Sequence, residues 1–184
     1  RSLLEKMKVK AIGTTDDPAD SLEYHIAYGR VRQSGQPVMV PSYRPDKALA
    51  VEDPVAWKAY LGKLGAAADI AIGSYKDLVA ALQKRHDTFH ELGCRASDHG
   101  VVAPFAVFVS AQKLEELFAA FIKGAVPTAE EAEAFKTGLM LEVGRMNARR
   151  GWAMQLHMAA IRNLNTPLFR RLGPASGYAA VADR

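Results

Sequence analysis

The chain of 184 residues is 49% hydrophobic and 24% charged, enough for one globular domain with a core of its own. Its net charge of +4 is spread over 24 basic and 20 acidic residues, and the densest basic groups, Arg149-Arg150 and Arg170-Arg171, are pairs rather than the blocks of nucleic-acid-binding arms. No apolar run approaches the roughly 20 residues of a membrane span, and the single cysteine, Cys94, lacks a disulfide partner or metal-ligand spacing and fits a reducing cytoplasm as a small buried residue.

In chain order, short apolar runs ending in polar clusters alternate with longer amphipathic stretches, and this happens four times. Position 1 is Arg and Ser2 to Met7 reads as a helix in progress, so the chain is expected to begin inside a fold. The first strand is predicted at Val9 to Thr15, followed by a helix containing Leu22, Tyr24 and His25 and capped by Asp17 or Thr15. The second is predicted at Pro37 to Val40, with Pro41 to Asp46 as an ordered loop, because a proline within a central strand removes a ladder hydrogen bond. Asp53-Pro54 opens a helix over Val55 to Leu64, and Ser74 caps a longer one that Gly93 ends. A third strand, Gly93 to Ala96, is expected to deliver Ser97-Asp98-His99-Gly100 to its C-terminal end. Ser110 caps the next helix, Thr128 with Glu131 forms a capping box for another, and a fourth strand over Gly151 to Leu156 ends at His157. Gly173 to Arg184 reads as a turn into an apolar segment that does not develop. This α/β pattern fits an open doubly wound sheet or about half of an eight-stranded barrel. Thr14 to Pro18 contains no glycine, so no phosphate-cradling loop follows the first strand.

Residues that follow parallel strands converge on one rim, so Asp16, Asp17, Arg44, Asp46, Asp98, His99 and His157 are candidates to surround one ligand. The alternative for each is a helix cap or a loop-stabilising pair, and capping alone accounts for Asp17. Arg44, fixed between a strand end and a proline, presents a planar fork suited to a carboxylate, with an internal salt bridge to Asp46 as the competing role. Asp98 and His99 are neighbours, so in strand geometry only one of them aims into the site. His157 is a candidate to bond substrate, ligate metal or shuttle a proton, or else is a satisfied core histidine. His25, His86 and His90 fall in helices and are expected to be structural.

Five segments, in order, resemble the uronate isomerases, a branch of the amidohydrolase-type barrel enzymes. They are Thr14-Thr15-Asp16-Asp17-Pro18 continuing to His25, Tyr43-Arg44-Pro45-Asp46-Lys47, and Arg85-His86-Asp87 running through Gly93 to Gly100. The others are Trp152 to His157 followed by Ile161-Arg162-Asn163-Leu164-Asn165, and Arg170-Arg171-Leu172-Gly173-Pro174. The resemblance implies a partial (β/α)8 barrel of about four parallel strands with covering helices, residues 1–184 forming one piece of a larger catalytic domain. It implies interconversion of D-glucuronate with D-fructuronate, and of D-galacturonate with D-tagaturonate, by proton transfer between C2 and C1. By the same resemblance His157 and Asp98 are catalytic, and Arg44 and His99 bind substrate.

The family's divalent metal, expected to be zinc, is held by an early His-x-His pair and a late strand-end aspartate that have no counterpart in this chain. Its tyrosine-bearing segment is also missing, and Ala175 stands where an acidic residue is common. The resemblance therefore assigns no metal ligand to these residues. The partner it implies is a small uronate, with no nucleic acid or membrane, and a homo-oligomer is compatible with exposed strand edges. A metal-dependent hydrolase on the same barrel and a catalytically inactive α/β fragment are the alternatives.

Overall fold

Four strands form one parallel sheet in the computed structural model, which describes residues 3–173 and 179–181. Helix α1 (Leu3–Lys6) leads into β1 (Ala11–Asp16), and α2 (Glu23–Val31) crosses to β2 (Val38–Tyr43). Helices α3 (Asp46–Leu49), α4 (Pro54–Ala68) and α5 (Tyr75–Glu91) precede β3 (Ala96–Val101). Helices α6 (Ala111–Ile122) and α7 (Ala129–Arg150) precede β4 (Ala153–Met158). The sheet order is β1-β2-β3-β4, so each helical crossover joins spatial neighbours, as in successive units of a barrel. Beyond it, β5 (Ala160–Ile161), α8 (Thr166–Leu172) and β6 (Ala180–Val181) follow, with β5 and β6 antiparallel. Ser2, Ala175 and most of the turn expected after Gly173 lie outside the described residues.

Local chemistry sets most helix starts. Asp53 accepts from Val55 N and Ala56 N at 3.1 and 3.0 Å with Pro54 at the first helical position of α4. Ser74, Ser110 and the Thr128–Glu131 capping box open α5, α6 and α7 as expected. Glu115 of α6 adds a second cap to α5, accepting from Tyr75 N and Lys76 N at 2.8 and 3.0 Å. The expected cap of α2 is not made: Leu22 occupies that position in a left-handed conformation, and no side chain caps the helix. Asp17 instead accepts from Ala19 N and the Tyr60 hydroxyl at 2.9 and 3.0 Å and lies 3.2 Å from Lys47 Nζ, stapling the loop. Thr15, the other proposed cap, belongs to β1.

All four strands lie further along the chain than expected, β1 by one or two residues. β2 continues through Pro41 to Tyr43. Val38 N and Arg44 N donate to Lys10 O and Asp16 O, so even-numbered residues of β2 face β1 and Pro41 faces β3. There only Tyr43 and Ser97 are in register, and the missing N–H of Pro41 breaks no ladder. β3 starts at Ala96 rather than Gly93, because Gly93, at φ 93°, ends α5 and Cys94-Arg95 makes the connection. Ser97 to Gly100 thus lie within the strand, and His157 lies within β4.

The core fills the space between the sheet and α4 to α7. Trp57 sits edge-on to Phe118, Phe121 and Phe135 with ring centroids 5.4, 6.4 and 5.6 Å away, and its indole N–H donates to Ala48 O. Tyr43 packs edge-on against Phe89 and His86 and donates to Leu82 O at 3.0 Å. The three helical histidines have structural partners. His86 stacks on Trp152 with centroids 3.8 Å apart, His90 Nδ1 accepts from Trp152 Nε1 at 2.9 Å, and His25 Nε2 lies 2.7 Å from Thr14 Oγ1. No helix among the described residues is long and apolar enough to cross a membrane.

Candidate functional site

Alternation along β3 divides its residues between two faces. Ser97 and His99 turn toward the helices and are fully buried, whereas Asp98 and Gly100 turn to the opposite face. On that face the register sets Asp98 beside Gln155 and Gly100 beside His157. Arg44 follows the end of β2, its N–H donating to Asp16 O at 2.9 Å, and Pro45 then turns the chain into α3. Arg44 Nε donates to Asp46 Oδ2 at 2.8 Å and Nη1 to Asp98 Oδ2 at 3.1 Å. Asp98 Oδ1 lies 2.8 Å from His157 Nδ1, an ion-pair separation, although the ring N–H is not aligned on this buried oxygen. Arg44, Asp98 and His157 are therefore one contiguous cluster.

A cleft of about 450 Å³ opens over this cluster, lined by Arg44, Asp46, Gly100, His157 and Arg162 with Val101, Val102 and Ala160. The His157 side chain is 47% exposed, which rules out the core-histidine alternative. Arg44 makes the internal pair with Asp46, and its Nη2 is left without a protein acceptor among the described residues. Its hydrogen bond to Asp46 holds the guanidinium still more firmly protonated than usual. Gly100 makes the arrangement fit: a Cβ there would lie 2.7 Å from Arg44 Nη2 and 3.2 Å from Asp46 Oδ2.

The structure does not bring every rim candidate to the cleft. His99 lies behind the strand with no exposed surface, and burial pushes its pKa down to about 4, so it is a neutral imidazole at physiological pH. Asp16 accepts from Thr14 Oγ1 at 2.6 Å beside His25, and Asp17 belongs to its loop. A larger hollow of about 930 Å³ beside Asp17, Lys47, Tyr60 and Arg85 is lined by committed groups: Arg85 donates to Pro18 O and Asp20 O at 2.7 and 2.8 Å, and Tyr60 and Lys47 hold Asp17. Sequence reasoning missed Arg162, which adds a second guanidinium to the cleft. Its signal was present: it follows His157 by five positions, just after the next short strand.

Among the described residues no group of three or more His, Cys, Asp or Glu has the geometry to hold an ion. Asp98, the carboxylate nearest His157, already faces Arg44 through its other oxygen.

Comparison with known proteins is consistent along the whole length. The sequence profile described as glucuronate isomerase matches residues 1–184. The uronate isomerase of Phocaeicola vulgatus is 42% identical over 184 residues, covering 100% of this chain and 39% of that protein. Among solved structures, uronate isomerase from Thermotoga maritima superimposes with a TM-score of 0.88 at 32% identity, over 98% of this chain and 40% of that one. Glucuronate isomerase from Caulobacter crescentus gives 0.83 at 27% identity, over 98% and 37%. The four parallel strands with their covering helices are part of a TIM-type barrel, and the chain spans 39% of the length of the curated relatives.

Proposed function

This chain belongs to the glucuronate isomerase family, and from that premise we propose that the protein of which it is part interconverts aldose and ketose uronates, D-glucuronate with D-fructuronate and D-galacturonate with D-tagaturonate. The observation that supports this is a cleft lined by Arg44 and His157, with the buried carboxylate of Asp98 between them contacting both. In such a reaction the C2 proton leaves as the C1 carbonyl oxygen is protonated, giving an enediol. Protonation of C1 with loss of the O2 proton then yields the ketose. Arg44 directs Nη2 into the cleft as an anchor for the substrate carboxylate or a hydroxyl, and Arg162 adds positive charge on the same rim. His157 is the proton-transfer group and Asp98 its orienting partner. With the ring proton on Nδ1, the nitrogen beside Asp98, the Nε2 lone pair is directed away and accepts from Gln155 Nε2 at 2.7 Å until substrate takes that place.

The same proposal makes residues 1–184 part of a single barrel domain in a cytoplasmic enzyme, consistent with the buried free thiol of Cys94. A divalent metal such as zinc would have to be coordinated by residues beyond this chain. β1 and β4 are edge strands among the described residues, to be covered by further barrel strands or by a second copy in a homo-oligomer.

The test is ketose formation from D-glucuronate by the parent protein and two variants. Arg44→Ala is expected to raise KM by more than about tenfold through loss of a charge-assisted contact. His157→Gln should depress kcat far more than KM. Unchanged kinetics in both variants would remove the cluster from the active site. Ester or amide cleavage in place of ketose formation would favour a hydrolase on the same barrel.

A further inference from the structure

The carboxylate that holds Arg44 is itself only half satisfied. Asp46 Oδ2 accepts from Arg44 Nε at 2.8 Å and from Gly100 N at 3.0 Å, while Oδ1 is buried with no hydrogen-bond partner among the described residues. His99 Nδ1 faces it 4.0 Å away and is buried and unpartnered in the same sense. Two orphaned polar atoms opposite one another need a common explanation.

The other side of the imidazole supplies it. His99 Nε2 lies 2.7 Å from Ser97 Oγ, Ser97 Oγ accepts from Asn147 Nδ2 at 2.6 Å, and Asn147 Oδ1 lies 3.0 Å from His86 Nε2. Each link constrains the next. Asn147 has one donor side and one acceptor side, so with Nδ2 on Ser97 its oxygen takes the proton of His86 Nε2. Ser97 Oγ has received a hydrogen from Asn147, and its own hydrogen finds an acceptor only in His99 Nε2 among the described residues. A neutral imidazole that accepts at Nε2 carries its proton on Nδ1, and that proton points at Asp46 Oδ1. The opposite tautomer would set two lone pairs face to face in a buried space and strand the Ser97 hydrogen. Burial keeps the ring neutral, so one tautomer must be chosen. The 4.0 Å separation exceeds hydrogen-bond length, so closing it requires the Asp46 carboxylate to turn toward the ring.

We propose that His86, Asn147, Ser97 and His99 form a one-way hydrogen-bond chain from the helix layer through the sheet to Asp46, and that it fixes the angle at which Arg44 presents its guanidinium to substrate. His99 is thus a positioning residue: it has no surface in the cleft and acts through Asp46 and Arg44. The proposal rests on the anchoring role of Arg44 proposed above.

Two measurements on the full-length parent test it. Selective 15N labelling of histidine reads the tautomer of His99 directly; a protonated Nδ1 with a bare Nε2 is expected, and the reverse overturns the chain whatever the variants do. In kinetics, His99→Leu is expected to raise the KM for D-glucuronate by about tenfold with a smaller change in kcat. His99→Asn, whose amide can still donate toward Asp46, should recover most of that loss. In the Arg44→Ala background His99→Leu should add little, because its effect runs through the missing guanidinium. A structural role alone would lower stability without the KM shift and without rescue by Asn. If His99→Leu does not fold, Ser97→Ala replaces it, with a KM rise of about threefold expected and no change overturning the chain. If Arg44→Ala itself leaves KM unaltered, the anchor has failed; if Arg44→Ala raises KM while the His99 variants match the unsubstituted protein, only the positioning chain has failed.

Discussion

The two faces of β3 are made from alternate residues of one short strand, yet they obey different rules. On the helix side Ser97 and His99 are fully buried, and their polar atoms join a continuous network with Asn147 and His86 amid Tyr43, Phe89 and Trp152. On the cleft side Asp98 and Gly100 stand among charged groups, and Arg44 keeps part of its donor capacity open. One face turns most of its polar atoms to partners within the core and contributes stability. The other is left short of partners and is therefore able to bind. The comparison teaches that polar residues on a barrel strand do not mark a loop, because neither face of such a strand needs to be wholly apolar.

If this division holds, damage to the helix side should appear in stability and damage to the cleft side in kinetics. The largest expected effect is Phe135→Ala. The ring is fully buried against Trp57, Tyr75 and Phe121, and its loss should destabilise the protein by about 3–5 kcal/mol in denaturant unfolding. Next comes pH. His99 has a folded pKa of about 4 against roughly 6.5 when unfolded, so between these values the unfolded chain binds the extra proton. Stability from this group is fully present above about pH 6.5 and declines as pH falls toward 4, by up to about 3 kcal/mol. His86, also lowered chiefly by burial, acts in the same direction. Denaturation midpoints measured across that window should fall with pH, and His99→Asn should flatten the curve; a flat curve for the unsubstituted protein would show that His99 is not held neutral.

How much of this was legible depended on how local the cause is. The caps at Asp53, Ser74, Ser110 and Thr128 were readable because the bond runs from a side chain to backbone two or three residues away. Asp17 misled because its carboxylate is taken by Tyr60 and Lys47, partners that only the fold brings near. The extent of β3 is hidden for a similar reason: Ser97-Asp98-His99 looks like a polar loop until the helix layer supplies Asn147 to bury Ser97. At the site, strand ends alone nominate seven residues, Arg44, Asp98 and His157 among them, since parallel strands gather their C-terminal ends on one rim; the roles of these three come from the family resemblance. That Asp98 faces inward and His99 outward required the phase of the strand. The link from His99 to Asp46 required rotamers and register, which no spacing encodes.

The smallest perturbation gives the sharpest separation of the two faces. Gly100 is exposed and has no positive φ that would require glycine for its backbone. A Cβ in its place meets two side-chain tips, Arg44 Nη2 at 2.7 Å and Asp46 Oδ2 at 3.2 Å, and this partly exposed pair can shift without moving the backbone. Gly100→Ala should therefore change unfolding stability by no more than about 0.5 kcal/mol, as for an ordinary surface substitution. The same methyl displaces the group proposed to hold the uronate, so KM should rise about three- to tenfold, equivalent to roughly 1 kcal/mol of lost binding. Parallel measurement of the unfolding midpoint and KM in this variant decides the matter. A stability loss without a KM change would mean that the close packing of Gly100 on Arg44 serves the fold rather than the cleft.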